Sequence, residues 1–136
     1  MILPSRAVFD SYAILCFLKS EKGADRIQKY LEAARRHRIT IFLNMINAGE
    51  IFYISYRRAG EQKAFETWGH VKNLPLQIVH NDETSTLQAA HFKGQYSFSY
   101  ADAFAAATAI LKSAVLITGD PEFKPLQEKM QIDWLR

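Results

Sequence analysis

The sequence predicts an α/β fold, a three-layer α/β/α sandwich around a central, mainly parallel, twisted sheet of four to five strands. Short runs of β-branched and aromatic residues, typical of strands, alternate along the chain with segments of helical periodicity. Such alternation is typical of a parallel sheet covered by helices on both faces. No internal repeat, low-complexity tract or linker interrupts it, so we expect residues 1–136 to form a single domain.

The first half of the chain is predicted to contain two strands and four helices. The strands are short apolar runs, the second of them rich in β-branched and aromatic residues. The helices carry apolar residues at the helical period, and Asn44 can cap one of them while Gly60 can end it. The predicted bounds are 7–9 and 39–43 for the strands, and 12–18, 24–36, 45–59 and 62–71 for the helices.

The second half continues the alternation with two further strands and a candidate fifth. Asp82 or Thr84 can start a helix that Gly94 ends, and Ser99 can cap a helix whose many alanines favour helical structure. The predicted bounds are 76–79 and 114–117 for the strands, 132–135 for the fifth, and 84–92, 101–112 and 123–129 for the helices. Because right-handed crossovers join parallel strands, their carboxyl ends should meet at one edge, where such sheets place their sites.

Composition excludes several classes of protein. The single cysteine, Cys16, lies in an apolar run, so there is no internal disulfide framework, and we expect a buried, inert thiol and a reducing compartment. No apolar run approaches the roughly 18 residues of a membrane-spanning helix. The first residues lack the basic-then-apolar order of a signal peptide. We therefore expect a cytoplasmic protein that does not enter the membrane.

Positive charge is concentrated in two clusters, at residues 35–38 and 57–58, although the net charge is only +3. A basic surface around an acidic centre would suit a polyanionic substrate. The same clusters are also typical of solvated helix ends, and the sequence does not separate these two interpretations.

Four acids stand alone in otherwise uncharged stretches, and these are Asp10, Glu50, Asp102 and Asp120. A lone carboxylate in a buried segment costs several kcal/mol unless it is paired or bound to a metal. On the predicted structure, Asp10 and Asp120 come just after two strands. Asp102 opens its helix, and Glu50 lies about two turns into another. All four can therefore reach one cleft at the carboxyl edge of the sheet.

Clustered carboxylates repel one another, and a hard divalent cation with oxygen ligands relieves that repulsion. Mg²⁺ or Mn²⁺ fits such a set, whereas Zn²⁺ would favour histidine or cysteine ligands. Each acid also has a structural interpretation, because Asp10 can cap a helix, Ser99 and Asp102 match a capping box, and Asp120 suits a turn. Glu50 lies inside a helix and has no such role. The coincidence of four acids at one edge favours a metal site.

The residues around these acids resemble the motifs of PIN-domain nucleases. In that family the first Asp is followed by Ser or Thr, as in Asp10–Ser11, and the third motif is an Asp that opens an alanine-rich helix, as Asp102 does. The four similar segments are 8–13, 47–53, 100–109 and 116–123. Their order and spacing cover residues 6 to 135. The size and the single-domain build resemble VapC-type toxins of prokaryotic toxin–antitoxin pairs.

The resemblance implies a PIN-like fold and a ribonuclease that depends on Mg²⁺ or Mn²⁺. Carried over, the metal-binding and catalytic residues would be Asp10, Glu50, Asp102 and Asp120. The fourth carboxylate would be Asp120, Glu122 or both. Polar supports would be Ser11, Asn47 and Thr118. A bound ion would lower the pKa of a water that attacks the phosphorus, with one or two ions in the site.

The partners implied are an RNA substrate, a cognate antitoxin and a second copy of the chain. Aromatic residues that could stack bases, although packing is the more common role, are Tyr53, Tyr56, Phe92, Tyr96, Phe98 and Tyr100. The hypothesis for a dimer or antitoxin surface uses Leu15, Phe17, Leu18, Ile27 and Tyr30. Two alternatives stay open: a housekeeping PIN nuclease in RNA processing, and a non-catalytic domain that binds metal or RNA.

Overall fold

The computed structural model describes residues 2–135 and contains a five-stranded sheet with helices on both faces. Met1 and Arg136, which the predicted domain includes, lie outside the described residues. The strands are β1 (Arg6–Phe9), β2 (Thr40–Asn44), β3 (Gln77–Val79), β4 (Val115–Thr118) and β5 (Ile132–Trp134). The helices are α1 (Ser11–Leu18), α2 (Ala24–Arg35), α3 (Met45–Ala59), α4 (Glu61–Asn73), α5 (Glu83–Gln95) and α6 (Tyr100–Leu111), followed by a 3₁₀ helix (Pro121–Leu126).

The sheet has the strand order β3-β2-β1-β4-β5 and every pair in it is parallel. Ala7 of β1 pairs with Ile41 of β2 on one side and with Val115 of β4 on the other. Side chains of a strand alternate between the two faces. Ala7 and Phe9 accordingly pack in one core cluster, and Val8 packs in the other. This architecture confirms the predicted three-layer sandwich, with a wholly parallel sheet.

Polar side chains just before four of the helices cap them. Asp10 accepts a hydrogen bond from the Ala13 N–H at 2.8 Å at the start of α1, and Asn44 accepts one from the Ile46 N–H at 2.9 Å at the start of α3. Asp82, rather than Thr84, starts α5 in a reciprocal capping box. Ser99 caps α6 by accepting from the Asp102 N–H at 3.1 Å. These caps fix where each helix leaves the sheet.

Two predicted helix boundaries are wrong. Gly94 does not end α5, which continues to Gln95; Tyr96 ends it instead, with its ring packed against Phe92 and Phe98. The predicted helix over 123–129 is a 3₁₀ helix that begins at Pro121. Since Pro125 has no N–H, it cannot donate the hydrogen bond that an α-helix starting at Pro121 needs there.

The hypothesis of a docking surface on the early helices is wrong for two of its five residues. Ile27 and Tyr30 are buried, and the Tyr30 ring meets the edge of Phe9 at a centroid distance of 5.9 Å. The Tyr30 hydroxyl donates to Asp133 at 2.6 Å. The whole apolar face of α2 therefore packs on the sheet and α1. The other three residues, Leu15, Phe17 and Leu18, are half-buried.

Cys16 is buried, as expected, and its thiol lies 3.1 Å from the Lys22 carbonyl oxygen. Burial raises the pKa of the Cys16 thiol, so it is a poor nucleophile. No helix within residues 2–135 combines the length and the apolar character that crossing a membrane requires.

Charge is distributed unevenly between the two ends of the strands. Each strand begins at, or within five residues after, a lysine or arginine, and these are Arg6, Arg38, Lys72, Lys112 and Lys129. We call this end of the sheet the amino edge and the opposite end the carboxyl edge. Across residues 2–135 the ion pairs are Arg26–Asp133 and Lys63–Glu66, so the basic residues of the amino edge have no carboxylate partner.

Candidate functional site

The four lone acids lie together at the carboxyl edge. Asp10 directly follows β1, and Asp120 comes two residues after β4, the neighbouring strand. Asp102 is in the first turn of α6, and Glu50 is the sixth residue of α3. The acids are close enough for the charges of Asp120 and Glu50 to act on Asp10 and Asp102.

Asp10 is held in place by two donors. Its side chain is 1% exposed, and its two oxygens accept hydrogen bonds from the Ala13 N–H at 2.8 Å and the Thr118 hydroxyl at 2.5 Å. The Thr118 hydroxyl oxygen in turn accepts a hydrogen bond from the Asp120 N–H at 3.0 Å. Asp10 therefore caps α1 and also takes part in the acid cluster, because each carboxylate oxygen has a second lone pair.

Burial and mutual repulsion raise the pKa of two of the acids. Burial raises the pKa of Asp10 to about 7, with smaller contributions from Asp120 and Glu50, although hydrogen bonds from Thr118 and Ala13 oppose the shift. Burial, and then the charges of Asp120 and Asp10, raise the pKa of Asp102 to about 8. Near neutral pH these carboxyls tend to hold protons, and a divalent cation could replace those protons.

Three carboxylates converge most closely. One oxygen each of Asp102, Asp120 and Glu122 lies within 4.8 Å of the others, the one such group within residues 2–135. Asp102 is buried, Asp120 half-buried and Glu122 exposed. The Glu122 N–H donates to Asp120 at 2.9 Å. The acids on both sides of Pro121 therefore lie beside Asp102.

Two of the three predicted polar supports donate hydrogen bonds to acids of the cluster. The Ser11 hydroxyl donates to Glu50, and Thr118 donates to Asp10. The Asn47 amide donates to the Ala101 carbonyl at 3.1 Å, so it contacts the backbone beside Asp102 rather than a carboxylate.

The buried oxygen of the Asn47 amide has no hydrogen-bond partner within residues 2–135. The opposite orientation of this amide would set its oxygen against the Ala101 carbonyl oxygen, which fixes the assignment. An unpaired buried acceptor costs about 1–3 kcal/mol. Because the amide links α3, which carries Glu50, to the start of α6, a donor group bound in this region would recover that cost.

Sequence reasoning missed the contact between Gly119 and Tyr12. A Cβ atom at position 119 would overlap the Tyr12 ring, so glycine lets the turn after β4 lie against that ring without displacing it. The signal was present in the sequence, since Gly119 separates Thr118 from Asp120 and glycine in such a place marks a close approach.

The six aromatic candidates for base stacking divide by exposure. Phe92 and Phe98 are buried and Tyr96 is half-buried, whereas Tyr53, Tyr56 and Tyr100 are exposed.

For residues 35–38 the structure favours a solvated helix end over a basic surface around the acids. This cluster ends α2 and precedes β2, so it lies at the amino edge, across the length of the sheet from the carboxylates.

The donor chemistry of the site suits a hard cation. Every side chain in the cluster offers carboxylate oxygen, and neither histidine nor cysteine belongs to the group of residues within 4.8 Å. Oxygen-only sets of this kind fit Mg²⁺ or Mn²⁺ and not Zn²⁺. The residues present therefore fit a divalent metal ion.

Comparison with known proteins gives a family and a fold. The model of the PIN domain family matches residues 7–129, and no curated protein sequence matches the chain. Among solved structures, VapBC2 of Rickettsia felis bound to a promoter DNA fragment is similar, with a TM-score of 0.75, 16% identity, and coverage of 96% of this chain and 99% of that one.

Two other solved structures are similar at comparable identity. DNA-bound VapBC of Salmonella typhimurium has a TM-score of 0.73 and 11% identity, with coverage of 98% and 100%. The sarcin–ricin loop cleaving toxin VapC20 of Mycobacterium tuberculosis has a TM-score of 0.69 and 15% identity, with coverage of 88% and 93%. At these identities the likeness establishes the fold.

Proposed function

This chain belongs to the PIN domain family, and we propose that it is a metal-dependent ribonuclease that hydrolyses phosphodiester bonds of RNA. In this proposal residues 1–136 act as one domain. The convergence of carboxylates from four segments that are distant in sequence carries the proposal, because repulsion makes such a cluster costly unless it binds a cation. The family membership supports the reaction, and the cluster supports the place where it occurs.

In this proposal the ligands of Mg²⁺ or Mn²⁺ are Asp10, Glu50, Asp102, Asp120 and Glu122. Asp102, Asp120 and Glu122 offer oxygens that already lie close together. Asp10 and Glu50 complete the set, and the hydroxyls of Thr118 and Ser11 hold their carboxylates in one orientation. Asn47 supports the site indirectly, by tying α3 to the backbone beside Asp102.

The bound ion would supply a water of lowered pKa and would stabilise charge on the phosphate. The chain's own contribution is to orient the carboxylates. The hydrogen bond from Thr118 lowers the pKa of Asp10 and opposes the effect of burial. The backbone N–H groups of Ala13 and Glu122 fix the oxygens of Asp10 and Asp120. These contacts reduce the reorganisation needed when RNA binds.

We also propose that the chain is the toxin of a toxin–antitoxin pair, that it forms a homodimer and that it acts in the cytoplasm. The similarity in fold to VapBC complexes and to a toxin that cleaves the sarcin–ricin loop supports the assignment as a toxin. A small open reading frame immediately upstream, whose product forms a stable complex with this chain and inhibits it, would support the toxin. Light scattering that gives a strict monomer at high concentration would contradict the homodimer.

Cleavage of a labelled RNA pool tests the nuclease. We expect cutting with Mg²⁺ or Mn²⁺, none with EDTA, and none from Asp10→Asn or Asp102→Asn. Glu66→Gln is a matched control, because Glu66 is an exposed acid of α4 outside the cluster and should cut like wild type. An inert wild type that also binds no Mn²⁺ in calorimetry would show that the acids are structural.

A further inference from the structure

We propose that Tyr53 and Arg57 of α3 form a binding subsite for one unpaired nucleotide of the RNA. The base stacks on the Tyr53 ring, and the adjacent phosphate lies beside the Arg57 guanidinium. The inference rests on the proposed ribonuclease function and narrows its substrate class to single-stranded RNA or an unpaired loop.

The position on the helix connects this pair to the acid cluster. Glu50, Tyr53 and Arg57 are spaced by three and four residues, so they lie along one face of α3. At about 1.5 Å per residue, Tyr53 lies about 5 Å and Arg57 about 10 Å beyond Glu50 along the helix axis. A strand with one phosphate at the carboxylates therefore passes over Tyr53 and Arg57 with the nucleotides next to it.

The Tyr53 ring is an available stacking surface. It is 47% exposed, and its hydroxyl makes no hydrogen bond within residues 2–135. The Arg57 guanidinium carbon lies 5.3 Å from the ring centroid, and Arg57 makes no ion pair in that part of the chain. A guanidinium stacked on an aromatic ring is an arrangement that proteins use to bind bases and phosphates together.

The scarcity of positive charge near the acid cluster gives Arg57 a role in binding RNA there. Most basic residues close to the sheet lie at its amino edge, and α1 has no charged residue from Ser11 to Leu18. On α6 the nearest cation to Asp102 is Lys112, which lies at the amino edge. RNA at the acid cluster nevertheless needs positive charge nearby. The 3₁₀ helix places Lys124 two residues after Glu122, and on the longer helices that carry the acids the cation nearest to an acid is Arg57, seven residues after Glu50 on α3.

Tyr56 is a second exposed tyrosine on α3, and its contacts differ from those of Tyr53. It is similarly exposed, at 45%, but its ring packs against Phe52 and its hydroxyl donates to Glu61 at 3.3 Å. Packing between α3 and α4 therefore accounts for Tyr56. Within residues 2–135 Tyr53 has neither an aromatic ring contact nor a hydroxyl hydrogen bond, and its ring lies beside Arg57, so Tyr56 is a matched control on the same helix.

The test measures binding with two probes of equal charge. One is a fluorescein-labelled single-stranded oligouridylate, and the other is a ribose–phosphate oligomer of equal length without bases. All proteins carry Asp102→Asn to prevent cleavage, and circular dichroism checks their folding. We expect the chain to bind the oligouridylate about tenfold more tightly than the base-free oligomer, as stacking of one base would give.

The variants separate stacking from charge. Tyr53→Ala should abolish the preference for bases, while Tyr53→Phe and Tyr56→Ala should retain it. Arg57→Gln should weaken binding of both oligomers alike and reduce the slope of log K against log salt by about one. If the Asp102→Asn protein shows no preference for the oligouridylate over the base-free oligomer, the proposed subsite is wrong. It is also wrong if Tyr53→Ala leaves that preference unchanged.

Two outcomes distinguish the nucleotide subsite from a protein–protein contact and from the ribonuclease proposal. If Tyr53→Ala changes the molecular mass in light scattering but not the preference for bases, Tyr53 is a contact between proteins and the subsite is wrong. If the preference depends on Tyr53 but the chain with Asp102 intact cuts no RNA, the subsite stands and the ribonuclease proposal fails.

Discussion

Asp10 shows how one side chain can have a structural and a chemical role at once. It caps α1 through the Ala13 N–H, and it is also the acid that Thr118 orients toward the cluster. The structural interpretation of Asp10 from the sequence is therefore correct and does not compete with the metal interpretation. The same holds for Asp120, whose side chain accepts the Glu122 N–H in a turn. The predicted capping box of Ser99 and Asp102 is only half formed, because Ser99 accepts the Asp102 N–H but the Asp102 carboxylate makes no return bond within residues 2–135. Glu50 is the residue that local structure does not explain, because its acceptor atom meets Ser11 of another helix.

The raised pKa values of Asp10 and Asp102 predict how stability depends on pH without metal. The folded chain keeps protons on these acids up to about pH 7 and about 8, whereas the unfolded chain releases them near 3.8. Since the folded state binds more protons in this range, the free energy of unfolding falls as pH rises through it. We expect a melting temperature several degrees lower at about pH 8 than at about pH 5, measured in EDTA.

A bound metal ion should reverse the fall in the free energy of unfolding at high pH. Mn²⁺ at about 100 times its Kd should add about 2.7 kcal/mol to the free energy of unfolding at about pH 8. Asp102→Asn removes one of the repelling charges, so its melting temperature should depend less on both pH and Mn²⁺. A wild type whose stability ignores Mn²⁺ at about pH 8 would contradict a metal site at these acids.

Thr118 should matter to metal binding although it offers no carboxylate. Thr118→Val removes the donor to Asp10 and the acceptor of the Asp120 N–H, so the pKa of Asp10 should rise further. We expect Mn²⁺ affinity to fall about 10- to 100-fold, as for other residues that orient ligands. Thr118→Ser keeps the hydroxyl and should restore most of the affinity. Equal affinities for the Val and Ser variants would show that the hydroxyl has no such role.

Strands and helices are predicted correctly where one local feature of the sequence, such as an apolar run or a capping side chain, determines them. The apolar runs at 7–9 and 39–43 become β1 and β2 within one or two residues, and Asn44 and Ser99 cap the predicted helices. Prediction fails where tertiary packing decides. Gly94 suggests a helix end, but α5 continues to Gln95 and ends at Tyr96, whose ring packs against Phe92 and Phe98. The sequence also leaves open whether Asp120, Glu122 or both supply the fourth carboxylate. The answer depends on the geometry of the turn between them, which Pro121 alone does not determine.

The glycines of the chain are not equivalent, and a matched pair of substitutions shows why. Gly119→Ala would push the turn after β4 away from Tyr12, so we expect lower stability and weaker Mn²⁺ binding. Gly69→Ala lies inside α4 with nothing within 4 Å of the new atom, so it should raise the free energy of unfolding by about 0.5–1 kcal/mol. Denaturant titration of both variants measures this, and a Gly119→Ala variant as stable as wild type would contradict the close approach.

At the scale of the whole molecule, charge separates along the strand direction. Acids gather where the strands end, and basic residues gather where they begin. The sequence reveals both groups but not their separation, because residues 35–38 and Glu50 are only 12 to 15 positions apart in the chain yet lie at opposite edges of the sheet. The fold decides which basic residues are available to RNA at the site.

This separation predicts that the larger basic cluster is dispensable for cleavage. Arg36→Gln lies at the amino edge and should leave the cleavage rate within about twofold of wild type, since exposed charges beyond a Debye length of roughly 10 Å are largely screened. Arg57→Gln should slow cleavage at low RNA concentration. Initial rates at about 0.1 M salt give the comparison, and a loss of activity in Arg36→Gln would place RNA at the amino edge.

The central place of β1 in the sheet also affects when the protein can act. Ala7 pairs with Val115, which lies 108 positions later in the chain. Asp10 leaves the ribosome early, but Thr118, Asp120 and Glu122 emerge only when most of the chain has been made. A nascent chain therefore has an unpaired side on β1 and an incomplete set of carboxylates. The order of the strands keeps the proposed ribonuclease inactive while it is still being translated.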